Sequence, residues 1–269
     1  MPRAEINGVG IYYRIDGPHD APVLVLSHSV LCDHAMWQPQ LAVVEHRYRV
    51  LRYDCRGHGR SDVPAAPYSI DGMADDVIGL LDVLGLDRVH FCGLSIGGMV
   101  GQSLAVRAPQ RVDRLILCNT AMRIGSADLW SARIDTVRTS GMAGLLSVVE
   151  RWFTPDFRQR NNEVAARFAN TLMTTPAEGY VGCCHALAEA DFTLAVPAVA
   201  APTLVIAGTA DVSTPPDDGH RLAAAIPAAR YLELPAAHLS NVEAAQAFNT
   251  AVLGFLQEED AGCARPSPS

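Results

Sequence analysis

The chain contains no stretch of about 18 consecutive apolar residues, the length a helix needs to cross a bilayer. Its opening, Met1-Pro2-Arg3-Ala4-Glu5, has no apolar run of the kind a secretory signal requires. A soluble, cytoplasmic protein without membrane contact is the expectation. Basic clusters are missing as well: 21 Lys and Arg stand against 29 Asp and Glu, a formal charge of −8, and no run of cations could follow a phosphate backbone. That excludes nucleic acid as an expected partner and favours a small organic substrate. The seven cysteines, at 32, 55, 92, 118, 183, 184 and 263, form no Cys-x-x-Cys pair. They read as reduced core thiols, and neither a metal nor a cofactor is expected. Repeats and low-complexity tracts are absent too, which leaves out solenoids and arrays. Monomer and homo-oligomer both stay open.

What is present is apolar residue in quantity: 49% of 269 residues, enough for one main α/β domain with an insertion. Ile11, Tyr13 and Ile15 alternate with polar neighbours after Asn7-Gly8, which predicts an antiparallel pair over 4–16. Residues 22–27 form a continuous apolar run, as in a strand covered on both faces. A helix over 37–45 and a strand over 48–53 follow. The glycine-bearing loop 54–62 reads as a tight hydrogen-bonded turn rather than a ligand set around His58. Helical spacing over 73–84 comes with Asp71 as N-cap and Gly85 as stop, and 112–118 is a further strand. Up to this point strand and helix alternate, which implies parallel strands joined by right-handed crossovers.

The rhythm breaks over 124–196, where the periodicity is helical without a convincing strand. This stretch is expected to be a helical cap inserted into a core made of 1–123 and 197–257. Alternation resumes with a strand over 202–207, a helix over 217–225 and a strand over 231–234. An amphipathic helix over 242–257 closes the core, and 258–269 is a polar tail expected to be disordered.

The chemistry converges on one stretch, Phe91-Cys92-Gly93-Leu94-Ser95-Ile96-Gly97-Gly98. A β-branched and aromatic run enters Gly-x-Ser-x-Gly, and a helical pattern over 99–108 leaves it. Between strand and helix this motif is a nucleophile elbow: small residues permit a turn sharp enough to project the Ser95 hydroxyl below the positive end of the helix. A serine hydroxyl needs a base to take its proton and a carboxylate to orient that base. Asp211 and His238 each stand just past a later strand, in the chain order Ser, Asp, His. Asp191, Asp217, Asp218, His28, His58 and His185 lack that combination of position and order. The oxyanion of an acyl transfer needs two main-chain donors, expected to be the amides of Ile96, next after the nucleophile, and of Val30, in the loop after the 22–27 strand.

The sequence resembles the α/β-hydrolase superfamily along nearly its whole length, and within it the bacterial 3-oxoadipate enol-lactonases. The resemblance is carried by Val50-Leu51-Arg52-Tyr53-Asp54, Arg56-Gly57-His58-Gly59, the Ser95 elbow and His238-Leu239-Ser240-Asn241. More specific are Leu117-Cys118-Asn119-Thr120-Ala121, Arg123-Ile124-Gly125-Ser126, Arg151-Trp152-Phe153-Thr154, and Gly179-Tyr180 with Cys183, which lie around the insertion. At the oxyanion loop the chain carries Ser27-His28-Ser29-Val30-Leu31, where those enol-lactonases often have Ser-Asn-Ser-Leu-Gly. The resemblance implies a mostly parallel sheet flanked by helices, an acyl-enzyme on Ser95 and a lactone bearing one carboxylate. Arg133 is then the expected carboxylate partner and Trp130 the surface packed on the ring. A broad carboxylesterase or perhydrolase, and a hydrolase-fold ligand receptor, are the competing readings.

Overall fold

The computed structural model describes residues 2–258. β1 (Arg3–Ile6) and β2 (Val9–Asp16) pair antiparallel across Asn7 and Gly8, whose positive φ values of 52° and 77° make the tight turn the sequence predicts. β3 (Val23–Ser27), β4 (Arg49–Tyr53), β5 (Val89–Leu94), β6 (Val112–Cys118), β7 (Thr203–Gly208) and β8 (Arg230–Leu234) complete one eight-stranded sheet, ordered β1-β2-β4-β3-β5-β6-β7-β8. Every pairing from β4 to β8 is parallel. Every residue of β5 and β7 is buried, the signature of strands with helices on both sides.

The strand order places the site. From β3 the chain turns one way to β4, and from the adjacent β5 it turns the other way to β6. The loops at the carboxyl ends of β3 and β5 therefore diverge and open a crevice, the ligand position in open α/β sheets. Around the sheet lie α1 (Gln38–Val44), α2 (Ile70–Val83) and α3 (Ile96–Arg107). Between β6 and β7 come α4 (Ala127–Ser140), α5 (Val149–Trp152), α6 (Pro155–Arg160), α7 (Asn162–Thr174) and α8 (Ala177–Glu189), with a 3₁₀ turn at Met142–Val148 and no strand among these residues. Trp152, Phe153, Phe157 and Phe168 pack this segment internally, with ring centroids 5.1 to 6.1 Å apart. α9 (Pro216–Ala225), α10 (Ser240–Glu243) and α11 (Ala245–Gln257) finish the fold.

Three local expectations are corrected. The N-cap of α2 is Ser69, whose Oγ accepts the Gly72 N–H, and Asp71 lies inside the first turn; Ser69 has the extended backbone a cap requires. The closing helix is not continuous over 242–257, because Ala244 leaves helical geometry (φ −110°, ψ 40°) and divides it into α10 and α11. Of the tail expected to be disordered, Glu258 is held by an ion pair with Arg230 and by Arg114 donating to its carbonyl, and 259–269 lie outside the described residues. Cys32, Cys55, Cys92, Cys118, Cys183 and Cys184 are free and buried, as expected; Cys263 lies outside the described residues. Among the described residues no helix is long and apolar enough to cross a membrane.

Candidate active site

Ser95 sits between β5 and α3 with φ 59° and ψ −118°, a backbone conformation that costs a non-glycine residue about 1–3 kcal/mol. The surroundings enforce it. The Ser95 N–H donates to Cys118 O at 3.0 Å, and Ser95 O accepts from Thr120 Oγ1 at 2.8 Å and Gly98 N at 2.9 Å. A Cβ on Gly93 would lie 2.1 Å from Gly97 O, and one on Gly97 would lie 2.4 Å from Ser27 O. Both obstacles are backbone, so only glycine allows α3 to approach β5 and β3 this closely.

Asp211 and His238 occupy the loops after β7 and β8, next along the same sheet edge. His238 Nδ1 donates to Asp211 Oδ2 at 2.8 Å, and both side chains are buried. That bond fixes the tautomer, leaving Nε2 as the free base. Asp211 is well supplied with donors. Its Oδ1 accepts from the backbone N–H of Ser213 (2.8 Å) and Thr214 (3.1 Å), and its Oδ2 also accepts from Thr214 Oγ1 (2.8 Å) and Asn119 Nδ2 (2.9 Å). Burial works against the charge, but His238 and the bonds from Asn119 and Thr214 outweigh it and hold the carboxyl below its usual range. The carboxylate therefore stays ionised wherever His238 must act.

The loop after β3 is organised by two histidines. His28 Nε2 accepts the Cys55 N–H at 2.9 Å and its Nδ1 donates to Ser29 O at 2.7 Å. His58 Nε2 accepts the Leu31 N–H at 3.0 Å, which holds Leu31 at φ 63°. Both rings are buried and act as neutral acceptors of backbone N–H groups. Gly57, His58 and Ser61 amides meanwhile donate to Asp62 O, Cys55 O and His58 O, the tight turn expected for this loop. Among the described residues the amides of Val30 and Ile96 donate to no protein acceptor, one on each side of the crevice. Two unspent donors at the start of α3 and in the facing loop are what a developing oxyanion requires.

Trp130 and Arg133 come together on α4. The Arg133 guanidinium lies 5.2 Å from the Trp130 ring centre and donates to Tyr180 Oη of α8 at 3.3 Å, while Trp130 Nε1 donates to Ile124 O. Among the described residues, neither has a hydrogen bond or ring contact to Ser95, Asp211 or His238. A separate cavity of about 380 Å³ borders the Asp211 and His238 loops and is lined by Arg151, Arg158, Thr154, Val212 and Ala237, among others.

Sequence reasoning missed four supporting residues. Thr214 follows Asp211 by three, a spacing that signals a side-chain-capped turn. Asn119 lies in the Cys-Asn-Thr-Ala stretch that carries the resemblance, but its contacts were invisible. Ser240, whose Oγ donates to Asn119 Oδ1 at 2.5 Å, lies in the His238-Leu239-Ser240-Asn241 stretch that carries the resemblance, but this contact gave no signal. Glu243 gave none either: its carboxylate accepts the Ala237 N–H at 2.8 Å and the Thr154 N–H at 3.2 Å, which ties the His238 loop to the helical segment. Leu239 N donating to Trp152 O at 3.0 Å adds a second tie.

A family profile for the α/β-hydrolase fold matches residues 22–245. The chain belongs to the α/β-hydrolase family. The hydrolase is 42% identical over 245 residues to 3-oxoadipate enol-lactonase 2 of Acinetobacter baylyi, covering 91% of this chain and 92% of that one. The crystal structure of the enol-lactonase from Burkholderia xenovorans LB400 superposes with a TM-score of 0.94 at 46% identity, over 96% of this chain and 100% of that one. A provisionally named carbamate hydrolase, RutD of Stutzerimonas stutzeri, is 34% identical over 259 residues, 93% of this chain and 97% of that one. The fold and the enol-lactonase resemblance read from the sequence are both borne out.

Proposed function

We propose that this hydrolase opens 3-oxoadipate enol-lactone to 3-oxoadipate through an acyl-enzyme on Ser95, acting in the cytoplasm in catabolism of aromatic compounds by the β-ketoadipate route. The observation that carries the reading is the buried Asp211–His238 pair, joined at 2.8 Å on the sheet edge that presents the strained Ser95 elbow. The likeness to enol-lactonases over more than nine-tenths of the chain supports the substrate.

In this mechanism His238 Nε2 takes the Ser95 proton as Oγ attacks the lactone carbonyl, and Asp211 stabilises the imidazolium. The tetrahedral oxyanion accepts hydrogen bonds from the Val30 and Ile96 amides, each worth about 2.7–4 kcal/mol in comparable sites. Collapse breaks the bond between the carbonyl carbon and the ring oxygen. His238 returns its proton to that oxygen, giving an enol that tautomerises to the ketone. The acyl group stays on Ser95 until water, deprotonated by His238, attacks and releases the carboxylic acid and the regenerated hydroxyl. The leaving group is a stabilised enolate, so its departure is easier than that of an ordinary alkoxide.

Residues 124–196 act as the cap over this site. Arg133, steadied by Trp130 and Tyr180, meets the carboxylate of the substrate side chain, and Trp130 packs against the ring. The test is steady-state hydrolysis of the enol-lactone and of p-nitrophenyl acetate by the purified protein and by Ser95→Ala. A kcat/KM above about 10⁵ M⁻¹s⁻¹ on the lactone, far exceeding the ester value and abolished in the variant, is the expected result. An inert lactone beside an active ester would replace the lactonase with a broad carboxylesterase.

A further inference from the structure

We infer that Asn119 is a positioning residue of the triad, clamping the acid loop and the base loop to one point at the end of β6. The inference rests on the serine-hydrolase reading above. Asn119 is the residue after Cys118, is 1% exposed and takes a φ of 43°, in the left-handed region that asparagine tolerates better than most side chains. Its own backbone is anchored, since its N–H donates to Ile206 O of β7 at 2.8 Å. The side chain is fully committed. Nδ2 donates to Asp211 Oδ2 at 2.9 Å and lies 3.2 Å from Ala237 O, and Oδ1 accepts from Ser240 Oγ at 2.5 Å. Ala237 and Ser240 flank His238 in sequence. One amide thus touches the loop of the acid and both sides of the loop of the base, across separations of 92, 118 and 121 residues.

The geometry has a chemical consequence. Asp211 Oδ2 is the atom that meets His238 Nδ1, and Asn119 donates to that same atom from another direction. The amide draws off part of the negative charge that stabilises the imidazolium, and with Thr214 Oγ1 it fixes how Oδ2 faces the ring. Thr214 and two backbone amides hold Asp211 without it, so removing Asn119 leaves the acid in place with more charge turned towards His238. Among the described residues Asp211 is the one charged side chain hydrogen-bonded to His238; Glu243 faces the loop through the Ala237 amide.

The experiment titrates His238 by NMR in ¹⁵N-histidine-labelled full-length protein, for the parent, Asn119→Ala and Asn119→Leu, beside p-nitrophenyl acetate kinetics. Asn119→Ala is expected to raise the His238 midpoint by about half a pH unit. Asn119→Leu, which keeps the side-chain volume and serves if the alanine variant does not fold, removes the same donor and is expected to raise it by a similar amount. The alanine variant should lose about tenfold in kcat, with KM within twofold. Midpoints that stay put or fall in both variants would overturn the inference, whatever happens to the melting temperature. Full ester activity in Ser95→Ala would bring down the serine reading separately, since the His238 titration needs no turnover.

Discussion

His58 is expected to make this protein acid-labile well above the pH at which its carboxylates protonate. The ring is 1% exposed, and its Nε2 accepts the Leu31 N–H, so a proton there would both bury a charge and remove the bond that shapes the oxyanion loop. Burial pushes the group down from its ordinary 6.5 to about 3. The folded state therefore resists a proton that the unfolded chain binds below pH 6.5. Stability from this group is complete above pH 6.5 and is lost as pH falls from there towards 3. At 1.36 kcal/mol per unit, the loss is about 2 kcal/mol by pH 5 and about 5 kcal/mol in full. Urea unfolding of the parent and of His58→Gln at pH 7.5, 6 and 5 measures it. Glutamine offers an acceptor to Leu31 but does not titrate. The stability of the parent relative to the variant should fall by about 2 kcal/mol between pH 7.5 and 5. A difference that does not change with pH would refute the neutral, buried state of His58.

Two further outcomes follow from the geometry. Gly97→Ala sets a Cβ 2.4 Å from Ser27 O, where neither partner can move without separating α3 from β3; kcat on p-nitrophenyl acetate should fall about 10²-fold, the scale of one lost oxyanion donor, and a loss under threefold would contradict this. Arg133→Ala should raise KM for the charged lactone about tenfold and leave the neutral ester within twofold; if the lactone KM holds while Arg158→Ala raises it, the carboxylate is met in the cavity beside the His238 loop instead.

Local patterns were legible because they are written in consecutive residues. The alternation around Asn7-Gly8 and the apolar run entering Gly93 each specify a strand without reference to the rest of the chain. Gly93 and Gly97 announced the elbow because no other residue type allows the close approach. Legibility ended where two signals of similar strength competed. Ser69 and Asp71 are both good N-caps, and only the extended backbone at Ser69 selects between them. Nothing in the run over 242–257 marks Ala244 as a break, which arises where Glu243 is drawn onto Thr154 and Ala237.

The sequence by itself determined the alternating α/β architecture, the sharp strand-to-helix turn at Ser95 and the order in which Asp211 and His238 follow it. These depend on hydrophobic period and on turn chemistry, which act over a few residues. Tertiary structure alone decided that Asp211 and His238 meet at 2.8 Å, that His28 and His58 serve backbone amides, and that Asn119 joins both loops. Those contacts span from 27 to 121 residues and depend on strand order. Strand order is set by how whole layers bury their apolar faces, and no short stretch of sequence records it.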